Sequence, residues 1–209
     1  MPVLHGEMSR RPEWCELEHF EIVTIPPSGR VLWNAAHKAN KVVFVEGEGK
    51  VALTTDMRAV SRGGSLDVSA GSYAIHTEGP ATVVTLGGHW GEDCGGAGIF
   101  GVQRADKPGD IGDPVTYPKH TAFDRHYHDC DEYWILVSGR GTASSEDVLY
   151  SVGPGDCVAT RMGHHHDFPQ VDGPVLAVFF ETTMRGAKRR GHLWEHTHGP
   201  AVPATGEGE

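Results

Sequence analysis

Apolar and polar positions alternate in short runs along most of this chain, and each run stops at glycine, proline or a polar turn residue. A first set comprises FEIVTIP (20–26), RVLW (30–33), KVVFVEG (41–47), KVAL (50–53), SLDV (65–68), SYAIH (72–76) and ATVVTL (81–86). A second comprises IFGVQ (99–103), EYWILVSG (132–139), GTASS (141–145), VLYSV (148–152), DCVAT (156–160) and VLAVFFET (175–182). Runs this short, rich in β-branched and aromatic residues, predict strands. No stretch sustains a helical period, and only a short helix after Thr183 is expected. Many short antiparallel strands joined by glycine-rich turns predict an all-β chain built as a β-sandwich or jelly-roll barrel.

Between the two sets lies RADKPGDIGDPVTYPK (104–119), whose three prolines and turn residues read as a connection over the surface. The pattern therefore divides the chain into a first domain over 1–105, a linker over 106–119, a second domain over 120–185 and an arm over 186–209. The first dozen residues and the closing PAVPATGEGE read as loose.

Composition narrows the function. With 209 residues the chain can form one ordinary domain or two small ones, and 28 glycines with 13 prolines suit many strands and turns. A formal charge of −10 with one dense basic run, Lys188-Arg189-Arg190, argues against nucleic acid and reads as a solvated cluster. The cysteines, Cys15, Cys94, Cys130 and Cys157, form no CxxC pair, which disfavours a zinc finger or a disulfide framework. The opening residues lack the apolar stretch of a signal peptide, and the longest apolar run (175–180) is too short to span a membrane. A reduced cytoplasmic protein with no membrane partner is expected. Histidine is the outlier: 14 residues, concentrated in the HYH run and beyond residue 160.

That cluster carries the candidate chemistry. His126 and His128, one residue apart on a strand, point to the same face and can offer two imidazole nitrogens to one ion. Glu132 can add a carboxylate oxygen from the neighbouring strand, and His166, after a glycine turn, a third imidazole. Three imidazoles and a carboxylate suit one divalent transition metal, Mn, Fe, Ni, Co or Zn, better than Mg or Ca. Four protein donors leave positions open for water or a small-molecule substrate.

These residues resemble the cupin superfamily. Its first motif, HxH, three residues, E, six residues, G, is met by His126, His128, Glu132 and Gly139. Its second, G, five residues, P, x, G, two residues, H, is met by Gly155, Gly163 and His166, with Arg161 where the family usually has proline. The first half resembles a degenerate copy. Aligning Gly47 with Gly139 puts Asn34, Ala36 and Asn40 at the ligand positions; aligning Gly71 with Gly155 puts Gly79 on Gly163 and Thr82 on His166. The resemblance thus implies two tandem cupin (jelly-roll β-barrel) domains, the first without metal.

Several neighbours have two readings. His164 and His165 are turn residues or a proton shuttle. Glu181, ending its strand, is a general base or a surface group orienting a histidine. Tyr127, Tyr133 and Trp134 are read as alternating away from the metal face, and Cys130 as a small, partly buried thiol. The segment RGAKRRGHLWEHTHG (185–199) is read as an arm ordered through Trp194, over the cavity mouth or against a partner, with a solvated arm the alternative.

The resemblance implies a site that the superfamily uses in dioxygenases, decarboxylases, sugar isomerases and epimerases, lyases and non-catalytic binders. A pocket region rich in Arg, His and Glu favours non-redox isomerase, epimerase or lyase chemistry on a sugar or hydroxy acid, with the metal as Lewis acid. A dioxygenase would be favoured by an aromatic cavity, which Trp134, Phe168, Phe179 and Phe180 can supply. A bicupin that binds without turnover is the third expectation. Exposed edge strands invite pairing, so a homodimer is expected.

Overall fold

The computed structural model describes residues 3–5, 8–107 and 112–200. The closing segment expected to be loose lies outside them except for Pro200. In chain order the strands are β1 (Val3–His5), β2 (Leu17–Ile25), β3 (Arg30–Ala35), β4 (Ala39–Glu46), β5 (Glu48–Ala52), β6 (Met57–Ser61), β7 (Ser65–Val68) and β8 (Gly71–His76). They continue as β9 (Ala81–Gly88), β10 (Cys94–Val102), β11 (Glu132–Ser138), β12 (Gly141–Ser145), β13 (Val148–Val152), β14 (Asp156–Thr160), β15 (His166–Val171) and β16 (Val175–Thr183). A single-turn helix, α1 (Glu195–His198), is the helical piece expected after Thr183.

The chain forms two compact units, each a pair of antiparallel sheets arranged as a jelly roll. The first holds Glu16–Gly91 and Ala97–Ile99. Its sheets run β2-β9-β4-β7 and β3-β8-β5-β6. Ile25, Val42, Phe44, Val51, Ile75 and Val83, all fully enclosed, fill its interior. β3 alternates exposed and half-buried positions, whereas β4, flanked on both sides, is buried along nearly all its length. An alternating strand faces water on one side; a continuous apolar run such as KVVFV belongs to a central strand.

The second unit has sheets β1-β14-β11-β16-β10 and β13-β12-β15 around Trp134, Leu136, Ala143, Val158, Phe168 and Ala177. It does not follow the boundaries expected from sequence. The described residues up to Cys15 belong to it, because β1 pairs antiparallel with β14, Leu4 opposite Cys157. Met8 and Cys15 are buried, so this beginning is not loose. β10 joins the same sheet at its other edge, contributing Cys94–Gly96 and Phe100–Val102.

The described residues of the expected linker are likewise part of this barrel. Arg104 bridges Thr121, and Gly112 bridges Arg125. Lys119 Nζ donates to both oxygens of Asp167 at 2.7 and 2.8 Å, and the Tyr117 hydroxyl donates to Asp167 Oδ2 at 3.0 Å. Asp167 is fully buried. Burial pushes its carboxyl up while Lys119 pulls it down, and the net direction is upward. A buried charge needs such a partner, which fixes this proline-rich segment in place.

Register relates the two units. Gly47 and Gly139 both have positive φ (+73° and +81°), and at each an added Cβ would collide with a proline carbonyl, of Pro80 and of Pro174. Gly155 has φ +85° and donates its amide to Leu136 O at 2.9 Å; Gly63 has φ +79° and donates to Phe44 O at 2.7 Å. The structural counterpart of Gly155 is therefore Gly63, not Gly71.

Candidate metal centre

His126 precedes β11 on a segment that bridges the start of β15. His126 N donates to His166 O at 3.1 Å and His166 N to His126 O at 2.8 Å, which brings the two rings side by side. Tyr127 faces the opposite way, so His128 returns to the same side. A turn closed by Gly163 N donating to His128 O at 2.9 Å then delivers Glu132 at the first position of β11. His126, His128, Glu132 and His166 are all buried, and their donor atoms lie within 4.8 Å of one another.

The orientation of each ring is fixed from behind. Nδ1 of His126 donates to Asp124 O at 3.1 Å, Nδ1 of His128 to Gly191 O at 3.0 Å and Nδ1 of His166 to His164 O at 3.1 Å. A carbonyl oxygen only accepts, so each Nδ1 carries the proton of its neutral ring and each Nε2 is bare. Yet the Nε2 atoms face each other, His126 to His128 at 3.1 Å and His126 to His166 at 3.0 Å. Glu132 Oε2 lies 2.8 Å from His166 Nε2 and 3.5 Å from His128 Nε2, buried and without an aligned donor. Four lone pairs converging in a buried site repel unless a proton or a metal ion lies between them. Bonds of about 2.1 Å at right angles would put neighbouring donors about 3.0 Å apart, which matches these spacings. The four residues fit a single ion.

Electrostatics point the same way at His126 and His166, whereas at His128 burial, which lowers the ring, is outweighed by the charges of Glu132 and Glu181, which raise it and favour a cation at this position, a proton or a metal ion. Burial, then repulsion from His166, lowers the His126 ring to about 3, so it stays neutral and able to ligate. Burial also lowers His166. Burial would raise the Glu132 carboxyl, but His128 and His166 outweigh it and hold Glu132 well below the carboxylate range.

The wall beside the donors is aromatic. Trp134, two residues after Glu132, shares its face, contrary to the reading that it alternates away. Its ring meets His166 edge-on with centroids 5.1 Å apart, and Phe123 lies 5.7 Å from His126. Phe100 and Phe168 pack on Trp134 at 5.4 and 6.1 Å. Phe179 packs against this interior, whereas Phe180 stacks on Tyr133 away from it.

The other sequence candidates lie around the donors. Glu181 pairs directly across from Glu132, and its Oε1 is 3.3 Å from Nδ1 of His128, the ring edge away from the other donors. Burial raises its carboxyl above the ordinary value. Gly95 lies under it, where any Cβ would collide with the Glu181 side chain. His165 Nε2 is tied to Asp113 Oδ2 at 2.8 Å, and its amide donates to Glu146 Oε1 at 2.5 Å. His164 is half-buried and lends its carbonyl to His166. Cys130 is buried, and burial followed by the charge of Glu181 pushes its thiol up, keeping it protonated.

Residues outside the motifs complete the surroundings. Within 185–199 the arm packs on the second unit: His192 stacks on His126 with centroids 3.6 Å apart and planes within 4°, and Leu193 pairs with Tyr127. Its abundance of polar side chains beside a tryptophan signalled order. The acceptors Asp113, Asp124 and Asp129 carried no spacing signal of their own.

A family model described as the cupin domain matches residues 115–181, a span holding both motifs. The chain belongs to the cupin superfamily. Its cupin match begins inside the segment expected to be a linker. The uncharacterized protein y4oW of Sinorhizobium fredii is 44% identical over 194 residues, covering 91% of this chain and 89% of the relative. Among solved structures, vicilin from Corylus avellana (hazelnut) has TM-score 0.55 at 11% identity, covering 87% of this chain and 80% of that one. The protein YhaK from Escherichia coli has TM-score 0.53 at 15% identity, covering 80% and 86%. At such identities the two structures show the fold alone. Among the described residues no helix is long and apolar enough to cross a membrane.

Proposed function

We propose that this chain is a mononuclear metal enzyme acting on a small organic substrate, with oxygen-dependent oxidation of an enediol or catechol the favoured chemistry. The observation that carries the metal reading is the convergence of three bare Nε2 atoms and a buried carboxylate, each ring locked through Nδ1. His126, His128, Glu132 and His166 would hold the ion. A bound redox metal such as iron, nickel or manganese would supply Lewis acidity and a relay for electrons from the substrate, which is oxidised, to dioxygen, which is reduced.

The chain's own residues supply the rest. Trp134 and Phe123 offer an apolar wall against which a ring or enediol can lie, and they exclude water from the donors' inner side. Two arginines of the arm are engaged away from the donors: Arg189 Nε with Asp129 Oδ2 at 3.0 Å, and Arg190 with the carbonyls of Cys94 and Gly95 at 2.9 and 3.1 Å. Their engagement shifts the balance from the sugar isomerase, epimerase or lyase reading toward the oxidative one.

One observation keeps the non-redox reading second. Glu181 is a largely buried carboxyl beside His128 with its proton affinity raised by burial, a property of general bases. His165, tied to Asp113, is better suited to positioning than to proton shuttling.

The deciding experiment is elemental mass spectrometry on protein purified without oxygen. Reloading with Mn, Fe, Co, Ni or Zn follows, then oxygen-electrode assays on enediols and catechols beside NMR assays on sugars and hydroxy acids. Oxygen uptake with iron-, nickel- or manganese-loaded protein supports the oxidative reading. Turnover without oxygen replaces it with the isomerase or lyase reading. Tight metal without turnover of either substrate class supports a binding bicupin. No metal after reloading of folded protein overturns the proposal.

A further inference from the structure

Three buried carboxylates of the second barrel each take partners from one segment, Asp113 in addition to His165. Asp113, Asp124 and Asp129 are 5%, 8% and 7% exposed. Asp113 Oδ2 accepts from Glu195 N at 2.7 Å, and its Oδ1 accepts from His196 Nδ1 at 2.6 Å. Asp124 Oδ2 accepts from His192 Nδ1 at 2.9 Å and from Trp194 Nε1 at 3.1 Å. Asp129 Oδ2 accepts from Arg189 Nε at 3.0 Å and from Arg189 N at 3.1 Å. A buried carboxylate stripped of its partners is strongly unfavourable, so three of them committed to residues 189–196 pin that segment against the barrel.

The same segment touches two donors of the metal centre from behind. Gly191 O takes the Nδ1 proton of His128 at 3.0 Å, which fixes its tautomer. The His192 ring covers the face of His126 at 3.6 Å, which blocks rotation of that ring. Leu193 N and Tyr127 N exchange hydrogen bonds with each other's carbonyls at 3.1 and 3.0 Å, running the segment alongside 126–128. None of these residues belongs to either metal motif.

We propose that residues 189–196 form a strap that is a constitutive part of the metal centre, orienting His126 and His128 and slowing release of the ion. His192 and Asp113 are positioning residues in this scheme. Asp113 touches none of the four donors in the contacts described, so its effect on the ion travels through the strap and His165. The inference rests on the metal reading proposed above.

The test uses full-length protein loaded with cobalt(II), whose visible bands report donor geometry and whose release to excess EDTA gives a rate. Wild type is compared with His192→Ala, a half-exposed side chain whose loss spares the core, with Asp113→Asn, and with Lys188→Ala as a control on the same arm. The strap predicts release at least about tenfold faster in His192→Ala and Asp113→Asn, the usual scale for groups that orient metal ligands. It also predicts shifted cobalt bands in both, with cobalt stoichiometry and far-UV circular dichroism unchanged and Lys188→Ala like wild type. Unchanged rates and bands in both variants of a protein that binds cobalt overturn the strap alone. A folded wild type that takes up no cobalt overturns the metal reading as well.

Discussion

The two barrels share turns and differ in what fills their interiors. Glu132 pairs with Thr160 and Glu181; Asn40 pairs with Val68 and Gly87. Ser144 lies opposite Asp167 and Ala52 opposite Ala74, which makes Tyr73 the counterpart of His166. Tyr73 pairs with Trp33 as His166 bridges His126. Where the second barrel sets the His126 and His166 rings edge to face, with planes 72° apart, the first stacks Trp33 on Tyr73, with centroids 5.9 Å apart and planes within 12°. The space left by Gly87 in place of Glu181 is met by the His37 ring, beside a cavity of about 190 Å³. Turn glycines specify the barrel; a few inward positions, with the carbonyls behind them, specify the chemistry. The same backbone carries a cluster of candidate metal donors in one barrel and an aromatic core in the other.

The largest effect expected from this contrast is on metal retention. Glu132→Ala or His166→Ala should lower bound metal well below about one ion per chain after dialysis against chelator, measured by elemental mass spectrometry, because each leaves three of the four donors and a weaker site. Asn40→Ala, the matching change in the first barrel, should leave metal content untouched. Equal loss in Asn40→Ala would mean that the first barrel also contributes to holding the ion.

Stability should show the reverse. Tyr73 is 6% exposed and packs into the first barrel's core. Tyr73→Ala should cost about 3–5 kcal/mol, the range for emptying a large aromatic site, read by calorimetry, with metal content unchanged. A cost below about 1 kcal/mol would show that Tyr73 lines an open cavity more than it supports a core.

Much of this was legible in the sequence, and the gaps have causes. SLDV, GTASS, VLYSV and DCVAT match β7, β12, β13 and β14 residue for residue. β6 escaped notice because MRAVS is mostly exposed and lacks an apolar run. β15 escaped because HDFPQV carries a proline and an aspartate whose partners, Lys119 and Tyr117, lie about fifty residues away in sequence. The start of β10, CGGAG, has almost no side chains to reveal alternation. The four donors were readable because their spacing is local. Their orienting partners were not, since Asp124 O serves the next turn while Gly191 O comes from an arm 63 positions along. Trp134 was misassigned although its separation of two from Glu132 placed it on the donor face.

Acid should separate the barrels next. Burial raises the Asp113 carboxyl, but hydrogen bonds from Glu195, His196 and His165 outweigh it and bring it from 3.8 to about 2. A folded-state value below the unfolded one adds stability that is complete above the unfolded value and is lost as pH falls through the folded value. Strap anchoring by Asp113 is therefore expected to fail between pH 3.8 and about 2. Asp167, raised by burial, works in the opposite sense, so the test is the variant rather than the profile. Asp113→Asn should flatten that acid limb in the second barrel's transition and leave the first barrel's unchanged. An unaltered acid limb would assign it to other carboxylates.

The smallest expected effect bears most directly on the pairing of the barrels. Gly63 and Gly155 occupy equivalent turns with φ of +79° and +85°. Space is not limiting at either: an added Cβ at Gly155 meets nothing within 4 Å, and at Gly63 it meets Ile99 Cγ1 at an ordinary 3.6 Å. The cost of alanine is therefore the backbone cost alone, about 1–2 kcal/mol for an L-residue held in the left-handed region. Gly63→Ala and Gly155→Ala should each lower the stability of their own barrel by that amount, and the two values should agree within about 0.5 kcal/mol. Matched costs would show that one turn device was kept while the interiors diverged, one into a metal centre and the other into an aromatic core. A cost at Gly155 well above that at Gly63 would mean that the turn leading into the strand before Gly163 and His166 has acquired a role in holding the donors.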